Sequence, residues 1–180
     1  MHKFNFATTL TLLFLFGAVS FFCLTSCSEK DDVTLIRNLI KEGAVLAEEQ
    51  DISAMMKLTT EDFLAQPGSI NRREVRKYIW LVFRRYGQFR VLYPEPAIEL
   101  AADSQSASAT VHLLIAKKEQ NIPKLEKLYK DPQRWLEEVG ENADLYRLNL
   151  KLLQKNGDWL VSITEVEPFR GFGFSKVSSE

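Results

Sequence analysis

Apolar residues recur at helical spacing in the first half of the chain and at strand spacing in the second. Val33, Ile36, Leu39, Ile40, Ala44 and Ala47 follow i, i+3, i+4 intervals, which predicts a helix from Val33 through Gln50. A short helix follows, with Ser53 as its N-cap, running to about Leu58. Thr60-Glu61-Asp62-Phe63-Leu64 then leads into Pro67-Gly68, a turn signal. Asn71, with Glu74 three residues on, has the spacing of a capping-box variant, in which each side chain satisfies the other residue's backbone N–H. The helix it starts runs to about Tyr86 on an apolar stripe of Val75, Ile79, Val82, Phe83 and Tyr86, and Gly87 closes it as C′.

Beyond Gly87 the period changes from 3.6 to 2. Phe89, Val91 and Tyr93 alternate until Pro94 and Pro96 interrupt, which predicts an edge or bent strand. Ala107, Ala109, Val111, Leu113 and Ile115 alternate against Ser106, Ser108, Thr110 and His112. Tyr146, Leu148, Leu150 and Leu152 alternate against Arg147, Asn149 and Lys151. Asn156-Gly157 is a strong hairpin signal, and Trp159, Val161 and Ile163 follow on one face. Between the strands, residues 123–139 read as helix, with Pro132 starting a second part and Gly140 ending it.

Helices first and an antiparallel sheet afterwards define an α+β fold. The order resembles the NTF2-like, cone-shaped α+β superfamily. Three places carry the resemblance: Asp62-Phe63 at the start of the first short strand, the capped helix opening at Gly68-Ser69-Ile70-Asn71-Arg72-Arg73-Glu74-Val75, and the closing hairpin Asn156-Gly157-Asp158-Trp159-Leu160-Val161-Ser162-Ile163. It covers about Asp31–Val166 and implies three N-terminal helices packed on a strongly curved antiparallel sheet. Members of the superfamily often hold a pocket between the helices and the concave sheet face. Some are isomerases, dehydratases or cyclases that use an Asp, His or Tyr there. Members also often dimerise through the sheet, so a homodimer is one implied arrangement. The helical insert at 123–139, before the last hairpin, departs from the family pattern and brings a partner or a pocket lid into consideration.

Residues 1–26 differ from everything after them. Lys3 is their only Lys or Arg, they hold no acid, and Leu10–Leu24 is apolar apart from Thr11 and Ser20. A positive start, an apolar run and a small-residue end make a secretory signal. Leu24-Thr25-Ser26-Cys27 resembles the bacterial lipobox, which implies cleavage before Cys27 and a diacylglyceryl group on its thiol. Two plainer readings compete: an uncleaved anchor over Phe6–Leu24, near the ~20 residues needed to span a bilayer, and an ordinary signal cleaved nearby. All three place the body outside the cytoplasm, because the positive charge precedes the apolar run. A lipid anchor would be firm, at ~0.8 kcal/mol per buried CH₂ over two or more chains. Ser28 stands where enteric lipoproteins retained in the inner membrane carry Asp, which leans toward the periplasmic face of the outer membrane. The expected organisation is a signal over 1–26, a lipid-anchored polar tether over 27–32 and a single domain over 33–180.

Composition narrows the chemistry further. With 180 residues, 46% hydrophobic and 26% charged, the chain has the makeup of an ordinary globular protein. A net charge of −1 gives no global reason for a nucleic-acid partner. Arg170-Gly171-Phe172-Gly173-Phe174 resembles the RNP1 motif of RNA-binding domains, but Ser175 and Val177 depart from that pattern and it sits at the chain end. The preferred reading is a tail whose aromatics cover an open end of the cone. One histidine and one lipid-bearing cysteine after the signal leave no metal set, and no phosphate loop or nucleophile elbow is present, so neither metal nor cofactor is expected.

His112, mid-strand, could pair with Asp62 as base and orienter in a pocket. The plainer and preferred reading puts His112 on the solvated face in line with Ser108 and Thr110. The third helix is basic: Arg73, Lys77 and Arg84 share a face with Trp80, either as a solvated face with Trp80 stacked on an arginine or as a contact for anionic lipid headgroups. The solvated face is preferred. The function expected is a lipid-anchored envelope protein that binds a ligand or a protein partner without catalysis. A small pocket enzyme built on His112 and a structural accessory of an envelope complex are the alternatives.

Overall fold

The computed structural model describes residues 25–119, 122–139 and 143–168. The apolar leader before residue 25 and the Arg170–Phe174 motif lie outside the described residues. Helix α1 spans Thr25–Glu48 and α2 Ile52–Lys57. Strand β1 (Thr59–Gln66) and the two-residue β2 (Ile70–Asn71) precede α3 (Arg72–Tyr86). Then come β3 (Phe89–Leu92), β4 (Ala97–Leu100) and the long β5 (Ser106–Lys117). Helices α4 (Leu125–Lys130) and α5 (Pro132–Val139) separate β5 from the final pair, β6 (Ala143–Lys155) and β7 (Asp158–Pro168). No described helix is long and apolar enough to cross a membrane.

One seven-stranded sheet runs β2-β1-β7-β6-β5-β3, with β4 also on β5. It is mixed rather than wholly antiparallel as expected, because β1 pairs β7 in parallel. No hairpin joins these two strands, so no turn dictates their direction. Pro94 and Pro96 break the outer edge into two short strands: β3 pairs the last part of β5 and β4 its first part. Only the first of these is expected from the sequence, because the four residues of β4 are too short a run to establish a strand period. Asn156 and Gly157 both have positive φ, 54° and 89°, the geometry of the tight turn that matches strand twist.

The local helix signals work through named atoms. Asn71 Oδ1 accepts from the N–H groups of Arg73 (3.0 Å) and Glu74 (3.1 Å), and Glu74 Oε2 accepts from Asn71 N (3.3 Å). Helix α2 is capped by Asp51, not Ser53: Asp51 Oδ1 accepts from Ala54 N at 2.9 Å. Helix α1 begins before the expected tether ends. Asp32 is buried, and its Oδ1 accepts from Trp159 Nε1 (3.0 Å) and Gln154 Nε2 (3.1 Å). Ser28–Asp32 is helical, and Asp32 belongs to the packed body, since a carboxylate taken from water needs such donors.

Two cores lie on opposite faces of the sheet. Ile36, Ile40, Met56 and Val75 of the helices pack on Phe63, Val111, Leu152, Trp159 and Val161. Residues two apart on a strand share a face, so Ala107, Ala109 and Val111 of β5 face these helices. Leu114 and Ala116 point the other way and pack with Trp135, Val139 and Ala143 under the α4–α5 insert. Trp135 is held there by an indole N–H shared between the carbonyls of Pro123 and Lys124, both at 3.1 Å. Ile163 does not follow Trp159 and Val161 to the helix side as the sequence suggested. A bulge shifts the register so that Val161 pairs Leu152 while Ile163 pairs Lys151. One extra residue turns every later side chain to the opposite face.

Candidate functional site

The sites proposed from sequence fall on separate parts of the molecule. His112 is exposed on the face opposite α1–α3, on the same side as Leu114. Its partner across the ladder is Arg147, whose Nε donates to His112 Nε2 at 3.4 Å. Arg147 also pairs with Glu167 (3.2 Å), Asn149 Nδ2 donates to Glu167 Oε1 (3.1 Å), and Thr110 Oγ1 donates to Asn149 Oδ1 (3.3 Å). Asp62 lies exposed on β1, 4.0 Å from Lys155 Nζ. Local hydrogen bonding and then Lys155 hold its carboxyl below the usual carboxylate value. The sheet order puts three strand spacings, ~14 Å, between Asp62 and the strand of His112, so the two do not meet. Cys27 is in the first turns of α1. Arg73, Lys77 and Arg84 stand on the exposed side of α3, with the Arg84 guanidinium 5.0 Å over the Trp80 ring. Among the described residues there is no group of His, Cys, Asp or Glu that could hold a metal.

A cluster not singled out from sequence sits where α3 ends over the start of β6. The row Leu148, Leu150 and Leu152 packs against the helix-side core, and the same parity continues back to Tyr146 and Asp144. Tyr86, in the last turn of α3, donates its hydroxyl to Asp144 Oδ2 and lies 3.0 Å from the Tyr146 hydroxyl. Phe89 is the apolar floor: it is buried, with its ring centroid 5.6 Å from Phe83 and 6.0 Å from Tyr86. Burial first, then the bonds to Asp144 and Tyr146, push the Tyr86 phenol well above its ordinary value.

The direction of these bonds limits what the cluster can do. Tyr86 has one proton, and it goes to Asp144. At the tyrosine pair the donor is therefore Tyr146, so the chain runs Tyr146 to Tyr86 to the carboxylate. Both phenolic protons are spent inside the cluster. What remains for a visitor are acceptors, the second Asp144 oxygen and the lone pairs of Tyr146. An oxyanion hole needs the reverse, unspent donors aimed at developing negative charge. Sequence could have flagged the cluster by one signal: Asp144 is a charged residue on the parity of an otherwise apolar row.

No protein-family model matches the chain, and no curated protein matches it in sequence. Solved structures do match in fold. An NTF2-like protein with a cystatin-like fold from Novosphingobium aromaticivorans superposes with a TM-score of 0.56 at 13% identity, covering 94% of both chains. A cystatin-like-fold protein of unknown function from Nostoc punctiforme gives 0.57 at 12% identity, over 76% of this chain and 90% of that one. A candidate scytalone dehydratase from N. aromaticivorans gives 0.61 at 9% identity, over 87% of this chain and 100% of that one. The chain has the NTF2-like, cystatin-like fold, an α+β arrangement with a mixed curved sheet. This fold is shared by ligand-binding and enzyme-like proteins, and at such identities the likeness is one of fold alone.

Proposed function

We propose that the chain is a lipid-anchored cell-envelope protein whose NTF2-like domain binds, without catalysis, a small ligand bearing N–H or O–H donors. The observation that carries the ligand half is the hydrogen-bond chain from Tyr146 through Tyr86 to Asp144, which offers acceptors beside an aromatic floor. A donor-bearing ligand completes that chain, whereas an enolate or carboxylate meets like charge. The non-catalytic reading is supported by the separation of Asp62 from His112 and by the lack of an unspent donor at the cluster. The anchor half rests on the positive start, the apolar run and Leu24-Thr25-Ser26-Cys27. Anchorage on Cys27 would leave about a turn and a half of helix before the buried Asp32, holding the body close to the bilayer.

Benzylamine, benzoate and toluene serve as probes on the full chain, followed by NMR of the Tyr86 and Tyr146 rings. Benzylamine is expected to shift both rings and to lose its effect in Asp144→Asn, with benzoate silent. Benzoate binding as tightly as benzylamine would refute the donor reading. Mass spectrometry of the mature N-terminus checks the anchor, a diacylglyceryl thioether on Cys27 being expected. An unmodified terminus starting elsewhere removes it.

A further inference from the structure

Helix α3 carries an outer face unlike the rest of the described surface. Seven large apolar side chains are exposed among the described residues, and four of them fall on this one helix: Tyr78 (56%), Trp80 (50%), Leu81 (54%) and Val82 (39%). Val82 belongs to the apolar stripe by sequence, yet only Val75 and Phe83 of the helix are buried. Arg73, Arg76, Lys77, Arg84 and Arg85 are exposed beside them. Elsewhere several described cations pair with acids, as in Arg37–Glu95, Arg134–Glu138 and Lys155–Asp62. None of the five on α3 is within ion-pair distance of a described carboxylate. The only acid of the helix, Glu74, is engaged in the N-terminal capping box.

The arrangement around the helix is ordered. Leu81 is central on the outward side, with Lys77 and Arg85 one turn away in either direction and Arg84 beside it. Trp80 and Tyr78 flank Leu81 on opposite sides at ~100° per residue. We propose that this face of α3 docks on an anionic bilayer surface, with Leu81, Trp80 and Tyr78 at headgroup depth and Arg73, Lys77, Arg84 and Arg85 on lipid phosphates. Charge complementarity selects the occupant: an apolar protein surface would leave the cations unpaired, and a second copy of the same face would oppose like charges. Amphipathic aromatic rings among Lys and Arg are the composition that settles at a membrane interface. The inference deepens the proposed envelope location and rests on it in one respect: the anchor at Cys27 would keep the face within reach of the bilayer.

The test uses the anchored full chain on vesicles containing brominated lipid, made of phosphatidylcholine alone or of equal parts phosphatidylcholine and phosphatidylglycerol. Trp135 and Trp159 are 2% and 4% exposed, so lipid quenching of tryptophan fluorescence reports Trp80. Quenching is expected on the anionic vesicles and not on the neutral ones, and Trp80→Phe should abolish it. Replacing Lys77, Arg84 and Arg85 together with Gln should lower the docked-to-undocked ratio about a hundredfold, at about fivefold per cation near the surface. A chain that floats with both vesicle types but leaves Trp80 unquenched overturns the docking face while the anchor stands. A chain quenched on anionic vesicles that fails to float with neutral ones overturns the anchor while the face stands. A dimer in vesicle-free solution that shields Trp80 and is lost in Leu81→Glu would assign the face to a second copy and overturn the proposal.

Discussion

The two cores of this molecule are built on the same strand and differ in almost everything else. Over its first half β5 presents Ala107, Ala109 and Val111 to α1–α3, where residues from three helices and four strands converge. Over its second half it presents Leu114 and Ala116 to the opposite side, where the α4–α5 insert alone supplies the cover through Trp135 and Val139. The first core is closed by long-range contacts, including Asp32 to Trp159 across most of the chain. The second joins segments that neighbour one another in sequence. A strand's alternation states that two faces exist; which face is buried depends on what lies over it at each point along its length.

The contrast makes graded predictions. Trp159→Ala should be the most damaging change, ~3–5 kcal/mol, because the indole is buried in the larger core. A denaturation midpoint near wild type would show that core to be dispensable. Trp135→Ala empties the smaller core and should cost ~3 kcal/mol, the lower end of the same range, read most clearly by hydrogen exchange. Amides of α4 and α5 should lose protection while those of β6 and β7 opposite Trp159 keep it. Equal loss in both would mean the two cores unfold as one.

Asp32→Ala leaves the Trp159 and Gln154 donors without their acceptor, at ~1–3 kcal/mol by chemical denaturation. A neutral result would place Asp32 outside the cooperative unit. Tyr86 sharpens the comparison through pH. Its phenol is raised in the folded state, so its contribution is whole below the unfolded value of ~10 and is lost as pH rises beyond it. Unfolding free energy should fall above that pH, and Tyr86→Phe should flatten the fall. The smallest effect belongs to His112→Gln, within ~0.5 kcal/mol, since the side chain is exposed on the reverse face. A larger loss in thermal melts would show that the His112–Arg147–Glu167 row supports the sheet.

The helices, the hairpin and the α+β order were legible because each rests on local chemistry. Asn71 and Glu74 cap α3 within one turn, and Asn156-Gly157 adopts the left-handed φ pair that the turn requires. Less was legible at the candidate site. Tyr86 read as part of an apolar stripe and Tyr146 as the head of an apolar row, but nothing local linked either to Asp144. That link exists because Tyr86, at the end of α3, reaches the start of β6, joining residues 58 and 60 positions apart.

By itself the sequence determined where backbone periods change, where helices are capped, and that one basic helix carries Trp80 among its cations. Those properties depend on neighbours within a few residues. Only the tertiary structure decided that β1 runs parallel to β7, that a bulge turns Ile163 away from Trp159, that Asp32 is a buried acceptor, and that α3 leaves Trp80 and Leu81 uncovered. Each of these depends on which distant surface arrives opposite a residue, and burial, register and hydrogen-bond partners are set by that meeting.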